Sequence, residues 1–483
     1  MFAWRRFGSA LIALATLVCA SACGDDDGTT GDTDAGLADA GMGGADAGVR
    51  PDGGSDAGHD AGPSCTEGCE YVELALGSQY SCARRENGDV RCWGRGQEGQ
   101  LGDGLEAHGG RCRISAADSR DCSSRPVDVA LDEPADSIAG GLLSACAVDA
   151  AGAVRCWGEV GYRLGALPAE SARFAPRLYP MLDDTAEVAE GTFLLCSLEN
   201  DGSVRCAGRN GSRQTGTGEL ASEVLDPTAV IRRVDETTTE PLAGVLELDV
   251  GTFSSFACAR TAGEVHCWGS GQAGELGVAP SSLTANCGTA TQENRCSEHA
   301  LPISGLESLE VTQVALGGEH ACVLISDGTV QCWGSNRAGQ LGTDDADQRF
   351  APAPVPGITA AIEITAGANH TCAVLSDGTV QCWGFNHQGQ LGDGQESHGL
   401  TATCTLGETQ TGDCWATPVT VMGLSGVTHI DAGTNHTCAI HDEGAAISCW
   451  GANEMLQVGG VTTNNPSGSD LAPRFTPTAV LGL

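Results

Sequence analysis

Lysine is absent from this sequence, and all 25 of its basic residues are arginines. They stand against 63 acidic residues, so the formal net charge at neutral pH is −38. Such a field repels nucleic acids and anionic membranes, and the sequence therefore predicts no nucleic-acid partner. The acidity itself has two open interpretations, namely solubility in a salty habitat and attraction of a cationic partner.

Long apolar stretches are also missing. The apolar run Ala10–Val18 is too short for a membrane-spanning helix, which needs about twenty residues. It follows Arg5 and Arg6 and precedes small residues, an order that is typical of a secretory signal peptide. We predict a signal peptide over residues 1–22 and no membrane contact of the mature chain except through a lipid.

Cleavage before Cys23 has two interpretations. The small residues fit an ordinary signal peptidase, and they also resemble a bacterial lipobox that ends in a lipidated cysteine, although Ala20 replaces its usual leucine. Residues 24–64 are rich in Asp-Ala-Gly triplets, which cannot bury apolar surface, so we predict a disordered tether over 23–64. A flexible segment of this kind would join a lipid anchor to a folded domain, and this favours lipidation of Cys23. We therefore predict a lipoprotein of the outer membrane, at the cell surface or in the periplasm.

Signatures of catalysis are missing as well. The sequence has no Gly-x-Ser-x-Gly elbow, phosphate-binding loop, His-Glu-x-x-His motif or dinucleotide fingerprint. We expect no enzyme activity and no cofactor. Asp344, Asp345 and Asp347 could hold calcium, but a solvated acidic loop is the simpler interpretation.

What the sequence has is a repeat that begins near Tyr71. Residues Ile364–Gly392 give its clearest copy, and Val314–Gly342 is nearly identical. Seven copies, here called repeats 1 to 7, are marked by cysteine pairs. The pairs are Cys82 with Cys92, Cys146 with Cys156, Cys196 with Cys206, Cys258 with Cys267, Cys322 with Cys332, Cys372 with Cys382, and Cys438 with Cys449.

Each copy is predicted to be a β-hairpin. Asp377-Gly378 separates two runs rich in Val, Thr, Cys and Trp, which is a hairpin signal. A turn centred on Asp377 places Cys372 opposite Cys382, at a separation that a disulfide can bridge. Zinc binding would need closer cysteine spacing. Of 24 cysteines, the 22 that follow the signal region are an even number, which indicates an oxidising compartment.

Two more strands complete each unit. One precedes the hairpin, as Ile362–Ala366 does, and a fourth contains a Pro-x-Val pattern, as in Pro126–Ala130 and Pro418–Met422; in repeat 2, Arg177–Leu182 fits it poorly. Four short strands cannot bury both faces alone, so radial stacking into an all-β propeller over residues 65–483 is expected. A sandwich and a β-solenoid are the alternatives.

The run Gly367-x-x-His370-Thr-Cys-Ala, with Asp377-Gly378, Trp383-Gly384 and Gly389-Gln-Leu-Gly392 after it, resembles the repeat of the regulator of chromosome condensation family. The resemblance implies a seven-bladed propeller of four-stranded blades. Repeat 3 departs from the pattern with Ala207 in place of tryptophan, and the tails of repeats 2 and 7 are degraded. The cysteine pairs are an addition to the family pattern.

Three repeats carry a further cysteine pair after the Gly-x-Leu-Gly loop. These pairs are Cys112 with Cys122, Cys287 with Cys296, and Cys404 with Cys414. Equal positions in the repeat predict that all three loops emerge on one face, where they either bind a partner or are closed only against proteases. Cys65 and Cys69 are predicted to form a small link at the start of the propeller, unless either cysteine pairs elsewhere.

Two recurrent side chains invite a functional interpretation. His320, His370 and His436 each stand two residues before a cysteine, but Tyr80 and other residue types fill the same place elsewhere, which indicates packing rather than ligation. The recurrent tryptophans are expected to fill the core between sheets.

Binding is therefore the first functional hypothesis: a monomeric scaffold at the cell envelope that captures an unknown protein. Guanine-nucleotide exchange is the alternative that the family resemblance implies, and inhibition of an enzyme by one propeller face is another.

Overall fold

A computed structural model describes residues 68–483 except 109, 114–118, 160–173, 180, 236, 289–293, 345–347, 400–402, 407–409 and 461–469. The predicted signal peptide, the tether with Cys23, and Cys65 lie outside the described residues. Residues 64–483 form one compact unit. Within the described part of the chain, no helix is long and apolar enough to cross a membrane.

The fold is an all-β propeller of four-stranded blades, and the described strands form seven sheets, one per repeat, whose four blade strands pair antiparallel. The first strands are Tyr71–Leu76, Ala135–Gly140, Thr185–Glu190, Val245–Asp249, Val311–Leu316, Ala361–Ala366 and His429–Ala432. The second strands are Tyr80–Arg85, Ser144–Asp149, Leu194–Glu199, Phe256–Thr261, His320–Ile325, His370–Leu375 and His436–His441. The third strands are Val90–Arg95, Val154–Gly158, Val204–Arg209, Val265–Ser270, Val330–Ser335, Val380–Phe385 and Ala446–Gly451.

The fourth strands are Ser119–Asp128, Arg177–Leu178, Glu223–Ala229, Arg295–Pro302, Gln348–Pro354, Gln410–Thr420 and Arg474–Ala479. They begin several residues before the predicted prolines, so the expected boundaries were wrong. The prediction places proline at the start of the strand, whereas Pro126 and Pro418 lie near its end. This strand is the outer one of the four, and proline is tolerated where its missing N–H would not serve the ladder.

Five short strands extend three of the sheets. Gly110–Arg113 and Thr403–Leu406 pair with the fourth strands of repeats 1 and 6, and Ala285–Asn286 does the same in repeat 4. The hairpin of Ile231–Arg233 and Thr239–Pro241 precedes repeat 4 and joins its sheet through Arg232 and Ala300. Short 3-10 turns lie at Pro280–Ser282 and Asp442–Gly444.

The hairpin turns follow from local chemistry. In repeat 6, Gly378 adopts a φ of +77°, which glycine accepts without strain. The Thr379 N–H donates to the Asp377 carboxylate at 3.0 Å and completes the turn. Cys372 then pairs directly with Cys382 in the ladder.

The ring closes between the first and last repeats without an exchanged strand. The C-terminal strand Arg474–Ala479 pairs with the third strand of its own repeat 7 and not with a strand of repeat 1. The Leu76 N–H donates to the Asp431 carboxylate at 2.8 Å, and Ser81 Oγ lies 2.9 Å from His436 Nε2. Side-chain and backbone hydrogen bonds across this seam therefore replace strand exchange.

Tryptophan joins each sheet to the one before it. The Trp383 indole N–H donates to the Gln340 carbonyl of the preceding repeat at 2.9 Å, and its side chain is fully buried. Five other tryptophans do the same at 2.8 to 3.0 Å, namely Trp93, Trp157, Trp268, Trp333 and Trp450. The interface between two neighbouring repeats is thus formed by the indole of one repeat and the loop of the repeat before it.

The loops of repeats 3 and 7 keep the contact with tryptophan although their sequences depart from the repeat pattern. Gln214 and Gln457 receive the indole N–H groups of Trp268 and Trp93, although neither is followed by leucine. Ala207 is the true exception, because repeat 3 offers no indole to repeat 2. The seam between repeats 2 and 3 is filled instead by small aliphatic side chains and Tyr179.

Gly216 tests this interface. It has a φ of +66°, and an added Cβ would lie 2.5 Å from the Trp268 ring. Gly244 has a similar φ of +71° with no atom nearby. Gly244→Ala should lower the free energy of unfolding by about 1 kcal/mol through backbone strain, and Gly216→Ala by about 1 to 3 kcal/mol more. Denaturant unfolding followed by tryptophan fluorescence measures both; equal losses would contradict the packing argument.

Candidate functional site

The hairpin cysteines of every repeat meet inside the sheets. Each of the seven pairs is joined, with Cα atoms 4.0 to 4.1 Å apart. The bonds join Cys82 to Cys92, Cys146 to Cys156, Cys196 to Cys206, Cys258 to Cys267, Cys322 to Cys332, Cys372 to Cys382, and Cys438 to Cys449.

These disulfides belong to the scaffold. In repeat 6, Cys372 and Cys382 stand directly opposite each other and are fully buried. The two pairs with an altered spacing keep the same register, since Cys258 stands opposite Cys267 and Cys438 opposite Cys449. The residue lost or gained is therefore absorbed in the turn, and the hairpin disulfides are not accessible to a partner.

The loop cysteines are joined with a different geometry. Cys112–Cys122, Cys287–Cys296 and Cys404–Cys414 have Cα atoms 6.0 to 6.1 Å apart. The two bonded cysteines do not stand directly opposite each other in the ladder but are displaced by two positions. In repeat 1, Cys122 stands opposite Gly110, and Cys112 stands opposite Arg120. The bond therefore crosses the short ladder diagonally, within the range of Cα separations that a disulfide accepts.

All three loops lie on one face. They connect the third and fourth strands, and in an antiparallel sheet this connection shares an edge with the turn between the first and second strands. We call this edge of the ring the loop face. The opposite face carries the tight turns between the second and third strands.

The predicted Cys65–Cys69 link and the aspartates considered for calcium lie only partly within the described residues. Cys69 is disulfide-bonded, but Cys65 lies outside the described residues. Asp344 is exposed, and Asp345 and Asp347 lie outside the described residues. In the described part of the chain, one group has the spacing of metal ligands: Cys146, Cys156 and Glu190. Its two cysteines are joined to each other, so they offer no thiolate.

The recurrent histidines link neighbouring repeats. His320 Nε2 lies 2.9 Å from Thr371 Oγ1, and His370 Nε2 lies 2.9 Å from Thr437 Oγ1. Burial lowers the pKa of His320 to about 3 and that of His370 to about 4, so both rings are neutral. With His436 and Ser81 they form a ladder across the last three seams, which is a structural role.

Two Asp–His–Asp clamps on the loop face were missed by the sequence analysis. In repeat 1, His108 Nδ1 lies 2.5 Å from Asp121, and its Nε2 lies 2.9 Å from Asp103. The His108 backbone N–H also donates to Asp121 at 2.9 Å. The clamp joins the base of the disulfide loop to the loop after the third strand.

The second clamp repeats this geometry in repeat 6. His398 Nδ1 lies 2.5 Å from Asp413, and its Nε2 lies 2.9 Å from Asp393. Trp415 stacks on the His398 ring with centroids 5.0 Å apart. The signal was present as Gly-Asp-Gly-x-Glu-x-His-Gly at Gly102–Gly109 and Gly392–Gly399, with Asp before the second loop cysteine.

The aspartates of each clamp favour the protonated form of its imidazole. Burial opposes the charge on His108, but the hydrogen bonds to Asp103 and Asp121 outweigh burial and raise its pKa to about 9. The pKa of His398 is raised for the same reasons, again against burial. A doubly hydrogen-bonded imidazolium has no lone pair for a metal, so the clamps fix the loops rather than hold an ion.

The first strands line a central channel of about 220 Å³. Its carboxylates are used within the scaffold: Glu73 pairs with Arg84 at 2.6 Å, and Glu363 with His429 at 2.7 Å. Asp249 accepts the Leu316 N–H of the next repeat at 2.8 Å, and burial raises its pKa to about 8. The Glu363 and Asp249 contacts thus join neighbouring repeats, whereas the Glu73 ion pair lies within repeat 1.

Repeat 4 covers the mouth of this channel. Its turn from Gly251 to Ser255 is two residues longer than the same turn in the other repeats. Thr252 Oγ1 donates to the Leu76 carbonyl across the ring at 3.4 Å, and its own carbonyl accepts from Thr192 Oγ1 at 3.4 Å. Phe253, next in the turn, is 54% exposed.

The raised pKa of His108 can be tested by titration. The folded pKa of about 9 exceeds the ordinary value of about 6.5, so the clamp stabilises the loop fully below pH 6.5 and less as pH rises through 9. We expect the imidazole NMR midpoint near 9, a clear decrease in Asp103→Asn, and faster amide exchange of His108 above pH 9. Glu86→Gln on the opposite face is the control. A midpoint near 6.5 in the unmodified protein would refute the clamp.

Comparison with known proteins agrees with the repeat and its geometry. Two models of the regulator of chromosome condensation (RCC1) repeat match, one at residues 71–100, 311–340, 361–390 and 427–457, the other at 262–324, 327–374 and 377–440.

Two curated relatives match over part of their length. The chain is 27% identical over 301 residues to the E3 ubiquitin-protein ligase HERC2 of Mus musculus, a match that covers 60% of this chain and 5% of that protein. It is 30% identical over 108 residues to the ultraviolet-B receptor UVR8 of Arabidopsis thaliana, or 22% of each chain. The chain thus spans a small part of these proteins, and their activities are not carried over.

Solved structures show the same fold. Human WBSCR16 superposes with a TM-score of 0.60 at 20% identity, covering 81% of this chain and 93% of that one. Prp20p of Saccharomyces cerevisiae superposes with a TM-score of 0.54 at 18% identity, covering 75% and 80%. By its repeats and its fold, the chain belongs to the regulator of chromosome condensation (RCC1) repeat family.

Proposed function

We propose that this chain is an exported, lipid-anchored propeller of seven blades, and that its loop face binds another protein at the cell envelope. One observation carries the proposal: three disulfide-closed loops share this face, and two of them are clamped by a histidine held between two aspartates. Loops on a rigid scaffold are a frequent site of recognition. Loops that are already ordered lose less conformational entropy when a partner binds.

Unequal repeats support one binding surface rather than seven equivalent ones. Repeats 1, 4 and 6 carry the loops, and repeat 4 alone has the longer turn over the channel. A partner would therefore meet a unique arrangement on the loop face.

Protein binding is also what is known of one structural neighbour. Prp20p has binding properties to Gsp1p and histones. Its similarity to this chain extends to the fold alone, so we carry over the use of the propeller as a protein-binding surface and not the identity of the partners.

The disulfides support export as part of the proposal. Ten disulfides join described cysteines, and disulfides are rare in reducing compartments. The apolar run before Cys23 and the acidic segment after it fit a lipidated cysteine and a tether. We place the protein at the outer membrane, at the cell surface or in the periplasm.

The stapled loops can be tested by capture from envelope extracts. A full-chain variant with serine at Cys112, Cys122, Cys287, Cys296, Cys404 and Cys414 should retain at least fivefold less partner, because the freed loops must be ordered on binding. Glu86→Gln with Glu443→Gln, in turns of the opposite face, should capture as the parent does. The hairpin disulfides remain, so unchanged tryptophan fluorescence shows that the scaffold is folded.

That experiment has a clear contrary result. Undiminished capture by the folded serine variant would remove the stapled loops from the binding surface. Loss of capture in the opposite-face control would show that the partner binds the face opposite the loop face, and this would contradict the proposal.

The anchor has a separate test. Cells fed with labelled palmitate should label the parent chain, and Cys23→Ala should abolish the label and release the protein from membranes. Cys19→Ala, four residues earlier, is the matched control and should label normally. Label that persists in Cys23→Ala would exclude lipidation at this residue.

A further inference from the structure

A second concavity lies on the loop face beside the covered channel. It is a cleft of about 400 Å³ where repeats 4, 5 and 6 meet, and Phe253, Glu275, Glu319 and Arg337 line it. Phe253 lies in the longer turn of repeat 4, so this turn contributes both to the mouth of the channel and to one wall of the cleft.

Glu275 occupies a place that is glutamine in the other repeats with a described loop. In repeats 5 and 6, the side-chain oxygens of Gln340 and Gln390 accept a backbone N–H from the residue two before, at 2.8 Å. Glu275 accepts the same bond from Ala273 at 2.7 Å. The glutamate thus performs the structural task of the glutamine and adds a charge that this task does not require.

That charge is costly where it lies. Glu275 is 3% exposed, and its other oxygen accepts a hydrogen bond from the Ser270 hydroxyl at 3.2 Å. Among the described residues, none makes an ion pair with Glu275. Burial raises its pKa to about 7, with the nearby Glu319 contributing. A buried carboxylate without a cationic partner destabilises a protein relative to a neutral amide, unless a ligand supplies the cation.

The other walls fit a cation on an apolar stem. The exposed face of an aromatic ring attracts ammonium and guanidinium groups and also packs on the methylene groups that carry them. Glu319 is exposed at the same cleft and adds a second negative charge. Arg337 is the one opposing charge, and the two carboxylates outnumber it.

We propose that this cleft binds one arginine or lysine side chain of the partner protein, its charged group at the Glu275 carboxylate and its stem on Phe253. The inference rests on the proposed function, whose partner it characterises as a protein with an exposed basic residue. The net charge of −31 over residues 65–483 favours the approach of such a partner.

The test uses Nα-acetyl-arginine amide as the probe and its citrulline counterpart, which has the same shape without the charge. Calorimetry or ligand NMR with the full chain should detect binding of the arginine compound and at least tenfold weaker binding of the citrulline compound. Glu275→Gln should weaken arginine binding at least fivefold, and Phe253→Ala at least threefold. Glu275→Gln should fold normally, because the other repeats use glutamine at this position.

Glu86→Gln removes one equal charge on the opposite face and should bind arginine as the parent does. Equal losses in both glutamate variants would reduce the effect to overall charge and overturn the proposal, as would undiminished binding in Glu275→Gln.

Partner capture separates this inference from the proposed function. If Glu275→Gln loses arginine binding while the loop disulfides prove irrelevant to capture, the cleft stands and the stapled-loop function fails. If capture depends on the loops but Glu275→Gln binds arginine normally, the cleft assignment fails and the proposed function stands.

Discussion

The interface between tryptophan and the loop of the preceding repeat is the interaction on which the rest of this fold depends. The indole N–H is satisfied by a backbone carbonyl of another sheet, so the ring can be fully buried only when two repeats are assembled. The glycine two residues after that carbonyl has a positive φ and lies against the same ring, as Gly216 does with Trp268. Two short segments of each repeat, the strand with the tryptophan and the loop with the accepting carbonyl and the glycine, therefore determine how neighbouring sheets pack together.

This arrangement lets the loop face vary. Because the core between sheets is filled by tryptophan, the hairpin disulfide and a few aliphatic side chains, the connection between third and fourth strands can lengthen without entering the core. Repeats 1, 4 and 6 use that freedom for closed loops. The clamps around His108 and His398 then fix the long connections of repeats 1 and 6 through hydrogen bonds between polar side chains.

Much of the scaffold could be predicted from the sequence because its signals are local. A turn at Asp377-Gly378 determines which residues face each other, and this places Cys372 opposite Cys382. The bounds of the fourth strands were harder to predict. A proline indicates a strand at the edge of a sheet, but it does not indicate whether it stands at the start or at the end of that strand. The Asp–His–Asp clamps depend on residues up to 20 positions apart, which meet only in the folded loop. Their repeated motif was visible, but nothing in single residues distinguishes a clamped histidine from a solvated one.

The closing seam has a consequence for the order of folding. Trp93 donates to the carbonyl of Gln457, and the Leu76 N–H to Asp431, so the first repeat receives its missing contacts from residues more than 350 positions later. Such distant contacts form late because a long chain must first be brought together. The N-terminal sheet must wait, with its tryptophan uncovered, until the last repeat is available to fold against it. Its hairpin disulfide, which closes a loop of ten residues, can form early and hold that sheet in register meanwhile.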